Sequence, residues 1–166
     1  MRRIRLDHVS VTSADLDRSV AFYCDLLGLP LIRRGESGEP ELGAILGVPG
    51  VRLLWAEVDL GGGQLLELLQ YLSPDGEPLM PDPARPGGTH IGLRVADIDA
   101  MYLRLSQAGV PIRSKPVEIQ EKGDWLGVRC LYARDPDGVT IELIERPVVP
   151  GPVVVPDLEG ARSDQR

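Results

Sequence analysis

The chain has 166 residues, 43% hydrophobic and 26% charged with only two cysteines, the make-up of an ordinary soluble globular protein that needs no disulfide framework. Its net charge of −7, with lysine only at 115 and 122 and arginines scattered, excludes a nucleic-acid-binding face. The basic start MRRIRLDHVSV turns polar too early for a secretory signal and no run of about 18 apolar residues follows, so no membrane partner and a cytoplasmic location are expected.

In chain order, alternation in IRLDHVSV (residues 4–11) predicts a strand. A helix follows at once. The ADLD segment supplies aspartates for its cap and first turn, Leu16, Val20, Tyr23 and Leu27 recur at helical spacing, and Gly28 sits where a C-terminal cap takes left-handed backbone. Strands are expected over about 29–34, 51–59 and 64–71, with an excursion at residues 35–50 holding a short helix over 41–46. The proline- and glycine-dense stretch 73–88 reads as a linker. Beyond it the pattern starts again, with a strand over 90–95, a helix from Ile98 to Gly109, and strands over about 110–119, 127–134 and 139–145. The tail, residues 147–166, carries too many prolines for a central strand and reads as extended.

The second half repeats the first. DHVSVTSADLD (residues 7–17) realigns on THIGLRVADID (89–99), placing His8 on His90, and GQLLELL (63–69) realigns on GVTIELI (138–144), placing Glu67 on Glu142. The organisation is therefore an α+β chain of two tandem βαβββ modules, residues 1–72 and 89–146, joined by linker 73–88 and followed by the Pro/Val-rich tail, all one structural domain.

Strand parity assigns the side chains. One face of each strand packs on the module's helix; His8 and His90 belong to the other. The run Asp135-Pro136-Asp137-Gly138 predicts a type I turn with a bulge that pairs Asp135 with Val139, which sets Tyr132 opposite Glu142 and Cys130 opposite Ile144. By the repeat, Glu57 lies near Glu67, with Trp55 one pair further on. Two like charges that close raise one carboxyl's pKa unless a cation intervenes. These polar groups on one sheet face call for a wet or metal-filled pocket. The only two histidines fall on equivalent sites, and each module adds a glutamate inside an apolar strand, so His8, Glu67, His90 and Glu142 are expected to hold a divalent metal: Zn, Ni, Co, Mn, Mg or Fe(II).

The motifs DHVSVTSADLDRSVAFYCDLLGL, LLELLQY, GTHIGLRVADIDA and RDPDGVTIELIE resemble the vicinal oxygen chelate superfamily over residues 4–146. That resemblance implies a curved eight-stranded mixed sheet around a cavity, and the sheet edges that paired βαβββ modules leave to be covered predict a homodimer. Its ligand set of two histidines and two acidic or amide residues, as in glyoxalase I and methylmalonyl-CoA epimerase, carries over onto His8, Glu67, His90 and Glu142, although Thr89 stands where the epimerase has a second histidine. It implies a substrate with neighbouring oxygens, a metal-chelated carbonyl and proton movement through an enediolate, with Glu142 or Glu67 as base. Tyr132, Glu57, Trp55 and Arg94 are candidate substrate contacts, and Arg33, Arg34, Arg113 and Lys115 lie at equivalent strand ends, where they form a solvated rim or meet a phosphate-bearing substrate. Two alternatives stay open: an Fe(II) ring-cleaving dioxygenase using His8, His90 and Glu142, and a metal-free drug-binding protein of the same fold.

Overall fold

A computed structural model describes residues 4–74, 76, 77, 79 and 82–147. The expected extended tail therefore lies outside the described residues, apart from Pro147. The first module runs β1 (His8–Thr12), α1 (Leu16–Val20), β2 (Leu31–Ser37), α2 (Pro40–Leu46), β3 (Arg52–Gly61) and β4 (Gln64–Ser73); the second runs β5 (His90–Arg94), α3 (Ile98–Gln107), β6 (Val117–Glu118), β7 (Arg129–Arg134) and β8 (Thr140–Glu145). Among the described residues no helix is long and apolar enough to cross a membrane.

Both module helices start as their sequences dictate. The Asp15 carboxylate accepts from the Arg18 N–H and the Asp97 carboxylate from the Ala100 N–H, each satisfying an amide that the first turn leaves unpaired. Gly28 and Gly109, with φ of +81° and +72°, end them in the left-handed region. Unexpectedly, α1 widens into a π-helix over Ala21–Leu26, where the Leu27 N–H reaches back to the Phe22 carbonyl at 3.0 Å. Phe22 and Tyr23, adjacent in sequence, are both buried and meet edge to face with ring centroids 5.0 Å apart.

The strands form two four-stranded sheets, ordered β1-β4-β3-β2 and β5-β8-β7-β6, with the first strand parallel and the others antiparallel to their neighbours. The single eight-stranded sheet expected from sequence is not what one chain builds. Its physical reason lies in the core. Leu66, Leu68, Ala56 and Val58 of the first sheet and Ile141, Leu143, Leu131 and Ala133 of the second share one apolar cluster with Leu16 and Tyr23 from one helix and Ile98 and Leu105 from the other. The helix-bearing faces of both sheets thus bury against common material, and the opposite faces both look away from it.

Polar contacts lock this arrangement. The Tyr23 hydroxyl donates to Asp135 at 2.9 Å, and Asp137 accepts from Arg18 Nη2 at 2.6 Å and from the Ala14 N–H at 3.3 Å. The expected strand over 110–119 shrinks to Val117–Glu118, with one isolated bridge from Ile112 to Ala133. Pro111 and Pro116 bracket the bend between them and have no N–H to give to a ladder.

Candidate metal centre

Hairpin geometry delivers the second half-site. The Asp135 N–H donates to the Val139 carbonyl at 2.9 Å, the Gly138 N–H to the Asp135 carbonyl at 3.1 Å, and Gly138 takes φ of +87°, as a type I turn with a glycine bulge requires. From that register Tyr132 pairs with Glu142 and Cys130 with Ile144. His90 opens β5 beside them, its Nε2 standing 3.3 Å from Glu142 Oε2 and its ring 5.6 Å from that of Tyr132. The Tyr132 phenol is pushed up by burial and then by Glu142. Burial, and then the Glu142 charge, likewise raises the Cys130 thiol.

The first half-site has the same plan with different neighbours. His8 Nε2 lies 3.7 Å from Glu67 Oε2, and its Nδ1 lies 2.8 Å from Asp7 Oδ1, a hydrogen bond that raises the imidazole's proton affinity and, with Nδ1–H donating, leaves the Nε2 lone pair to face Glu67 or a cation. The Ser10 hydroxyl donates to Glu67 Oε2 at 2.9 Å. Glu57 pairs with Glu67 across the strands, but the cation intervenes: Arg33 grips Glu57 through Nε and Nη2, both at 2.7 Å, and holds its carboxyl below the ordinary range. Both Glu57 carboxylate oxygens are thereby taken up by Arg33. Trp55 packs its ring on Gly35, where an added Cβ would stand 2.7 Å from Cζ2, and donates to the Ser37 hydroxyl at 3.0 Å.

Two donors on one cation with bonds near ~2.1 Å stand about 3.0–3.4 Å apart. The His90–Glu142 spacing suits that chelate as it is, and the His8–Glu67 spacing needs a small closure. The structure brings the ligands together in pairs, not as four: among the described residues, no cluster of three or more His, Cys, Asp or Glu side chains forms within one chain. Arg94 lines a hollow of about 360 Å³ with Leu27, Met101 and Arg104 that contains none of the candidate ligands. Sequence reasoning passed over Ser10, although it shares the parity of His8 and sits opposite Glu67 in the parallel register.

Comparison with known proteins identifies the family. The chain is 32% identical over 149 residues to a 2-epi-5-epi-valiolone epimerase from Actinomyces sp., covering 87% of this chain and 80% of that protein. It is 28% identical over 141 residues to a probable lactoylglutathione lyase from Synechocystis sp., covering 83% and 92% respectively. Among solved structures, a glyoxalase family protein from Bacillus cereus superposes with a TM-score of 0.75 at 24% identity, covering 87% of this chain and 95% of that one. The model of the Glyoxalase/Bleomycin resistance protein/Dioxygenase superfamily matches residues 5–143, and the chain belongs to that superfamily.

Proposed function

We propose that the chain is a divalent-metal-dependent lyase or isomerase whose ligands are His8, Glu67, His90 and Glu142 and whose complete site forms between two copies. One observation carries this reading: two matching His–Glu pairs, each at an open sheet edge. β1 and β5 are edge strands, each begins with its histidine, and each glutamate stands on the adjoining strand. Joining β1 of one copy to β5 of another therefore brings both pairs to one place. Leu6 and Val9, 56% and 38% exposed along the first edge, are apolar surface that such a contact covers. Both cysteines are free, which suits the cytoplasm.

When bound, a divalent ion supplies Lewis acidity, which polarises a substrate carbonyl and makes the neighbouring C–H acidic. The protein's part is to move that proton. Glu142 is the base, because its carboxylate faces Gly92, where no hydroxyl fixes it, while the equivalent Glu67 is held by Ser10. Tyr132 remains a protonated donor that orients a substrate oxygen. Trp55 forms the apolar wall on the first module's side. Relatives named as an epimerase and a lactoylglutathione lyase support a small substrate with neighbouring oxygens.

The test is solvent-deuterium exchange at the substrate carbon, followed by NMR on metal-loaded protein with 2-oxoaldehyde hemithioacetals, 2-methylacyl thioesters and polyhydroxylated cyclic ketones. Glu142→Gln keeps an oxygen donor and loses the base, so metal stays bound while exchange falls by about 10²-fold or more; Glu67→Gln is milder. Exchange at the parental rate in Glu142→Gln removes Glu142 as base. Absence of exchange with every panel member, parent included, overturns the proton-transfer reading.

A further inference from the structure

The repeat sets an arginine at the same place in each half-site, and the two meet different fates. Arg33 pairs with Glu57, which pairs with Glu67. In the second module Arg113, whose N–H donates to the Tyr132 carbonyl at 2.8 Å, flanks Tyr132, which pairs with Glu142. Tyr132 thus occupies the place of Glu57, and a neutral phenol stands where the first half has a carboxylate. In the first half both cations are neutralised on the spot: Arg33 by Glu57, and Arg34 by Asp17 at 2.7 Å. In the second half, Arg113 and Lys115 make no ion pair among the described residues.

Arg113 is nonetheless placed. Its guanidinium lies over the Tyr132 ring, 5.9 Å from the centroid, and the same ring neighbours His90, with ring centroids 5.6 Å apart. One aromatic ring therefore neighbours both an exposed cation and the histidine of the His90–Glu142 pair. A guanidinium stacked on an aromatic face keeps its fork of N–H donors for a planar carboxylate or a phosphate. Were the ligand neutral, this side of the site would need no charge, and the glutamate of the first half would serve equally well here.

We propose that Arg113 determines substrate specificity by binding an anionic group, a carboxylate or a phosphate, that the substrate carries beyond the oxygens directed at His90 and Glu142. The inference rests on the metal-site reading above and narrows its substrates to anionic ones.

Calorimetric titration of the metal-loaded full chain with three hydroxamates tests it, since each presents the same two neighbouring oxygens: acetohydroxamate has a neutral arm, malonohydroxamate a carboxylate, phosphonoacetohydroxamate a phosphonate. The parent should bind at least one anionic arm about tenfold or more tighter than acetohydroxamate, and the stronger of the two identifies the group. Arg113→Met should erase that preference with acetohydroxamate affinity unchanged, Arg113→Lys should keep part of it, and Arg33→Met should keep it. Equal affinity of the parent for all three, or a preference that survives in Arg113→Met, overturns the proposal. Failure of acetohydroxamate to bind, with an anionic preference still lost in Arg113→Met, rejects the metal site and leaves Arg113 as an anion site; failure of all three rejects both.

Discussion

Glu67 and Glu142 are equivalent by repeat, yet the residue facing each on the parallel strand differs. Ser10 and Gly92 occupy matching places opposite them, and the Ser10 hydroxyl restrains Glu67 at 2.9 Å. A ligand's hydrogen-bonded neighbour typically contributes about 10- to 100-fold to metal affinity, so Ser10→Ala should weaken metal binding by up to that factor, measured by competition with a chelating dye. The converse change is sterically open, since a Cβ at Gly92 would meet Ile144 Cδ1 at 3.5 Å and Glu142 Oε2 at 3.7 Å, ordinary contact distances. Gly92→Ser should therefore pin Glu142, slowing solvent exchange at the substrate carbon while metal affinity holds or rises. Unchanged exchange would show that Glu142 needs no freedom. The pairings Glu57–Glu67 and Tyr132–Glu142 were legible from sequence because a Pro-Asp-Gly turn fixes hairpin register and the repeat carries it across. The capture of Glu57 by Arg33 was not, since strand parity says which residues share a face but not how long side chains settle on it.

At the scale of elements, the turn that sets the register of β7 and β8 also clamps the first module's helix. Asp135, 4% exposed, accepts from the Asp137 and Val139 N–H groups at 2.9 and 2.7 Å and from the Tyr23 hydroxyl. Tyr23→Phe leaves a buried carboxylate oxygen without its donor and should cost about 1–3 kcal/mol in urea unfolding. Burial, more than any other cause, raises the Asp135 carboxyl above the ordinary aspartate range. A carboxyl raised in the folded state favours folding in its protonated form, so its contribution is full below the ordinary aspartate pKa and is lost as pH rises through the folded-state value. Relative to Asp135→Asn, the parent should lose stability as pH rises over that window; urea midpoints across a pH series that run parallel for the two proteins would contradict this. The helices were readable from their caps and spacing. The π-widening of α1 was not, because it arises from seating Phe22 and Tyr23 together in a core that spans both modules.

For the whole molecule, each chain carries two His–Glu pairs on faces turned away from one shared core, held so by the Tyr23–Asp135 and Arg18–Asp137 contacts. Sequence parity put all six polar groups on the face opposite the helices, which the structure bears out module by module; it could not show that the modules pack through their helices rather than edge to edge, because that choice is made by long-range packing. As proposed above, two chains together complete one metal site. The most direct measurement of this mixes two separately inactive variants, His8→Ala/Glu67→Ala and His90→Ala/Glu142→Ala, exchanges their subunits, and counts bound metal. Assembly across the dimer gives each heterodimer one site with all four ligands intact, so statistical exchange should restore about a quarter of the parental metal content. A mixture that binds no more metal than either variant alone, with heterodimers demonstrated by native mass spectrometry, would contradict it.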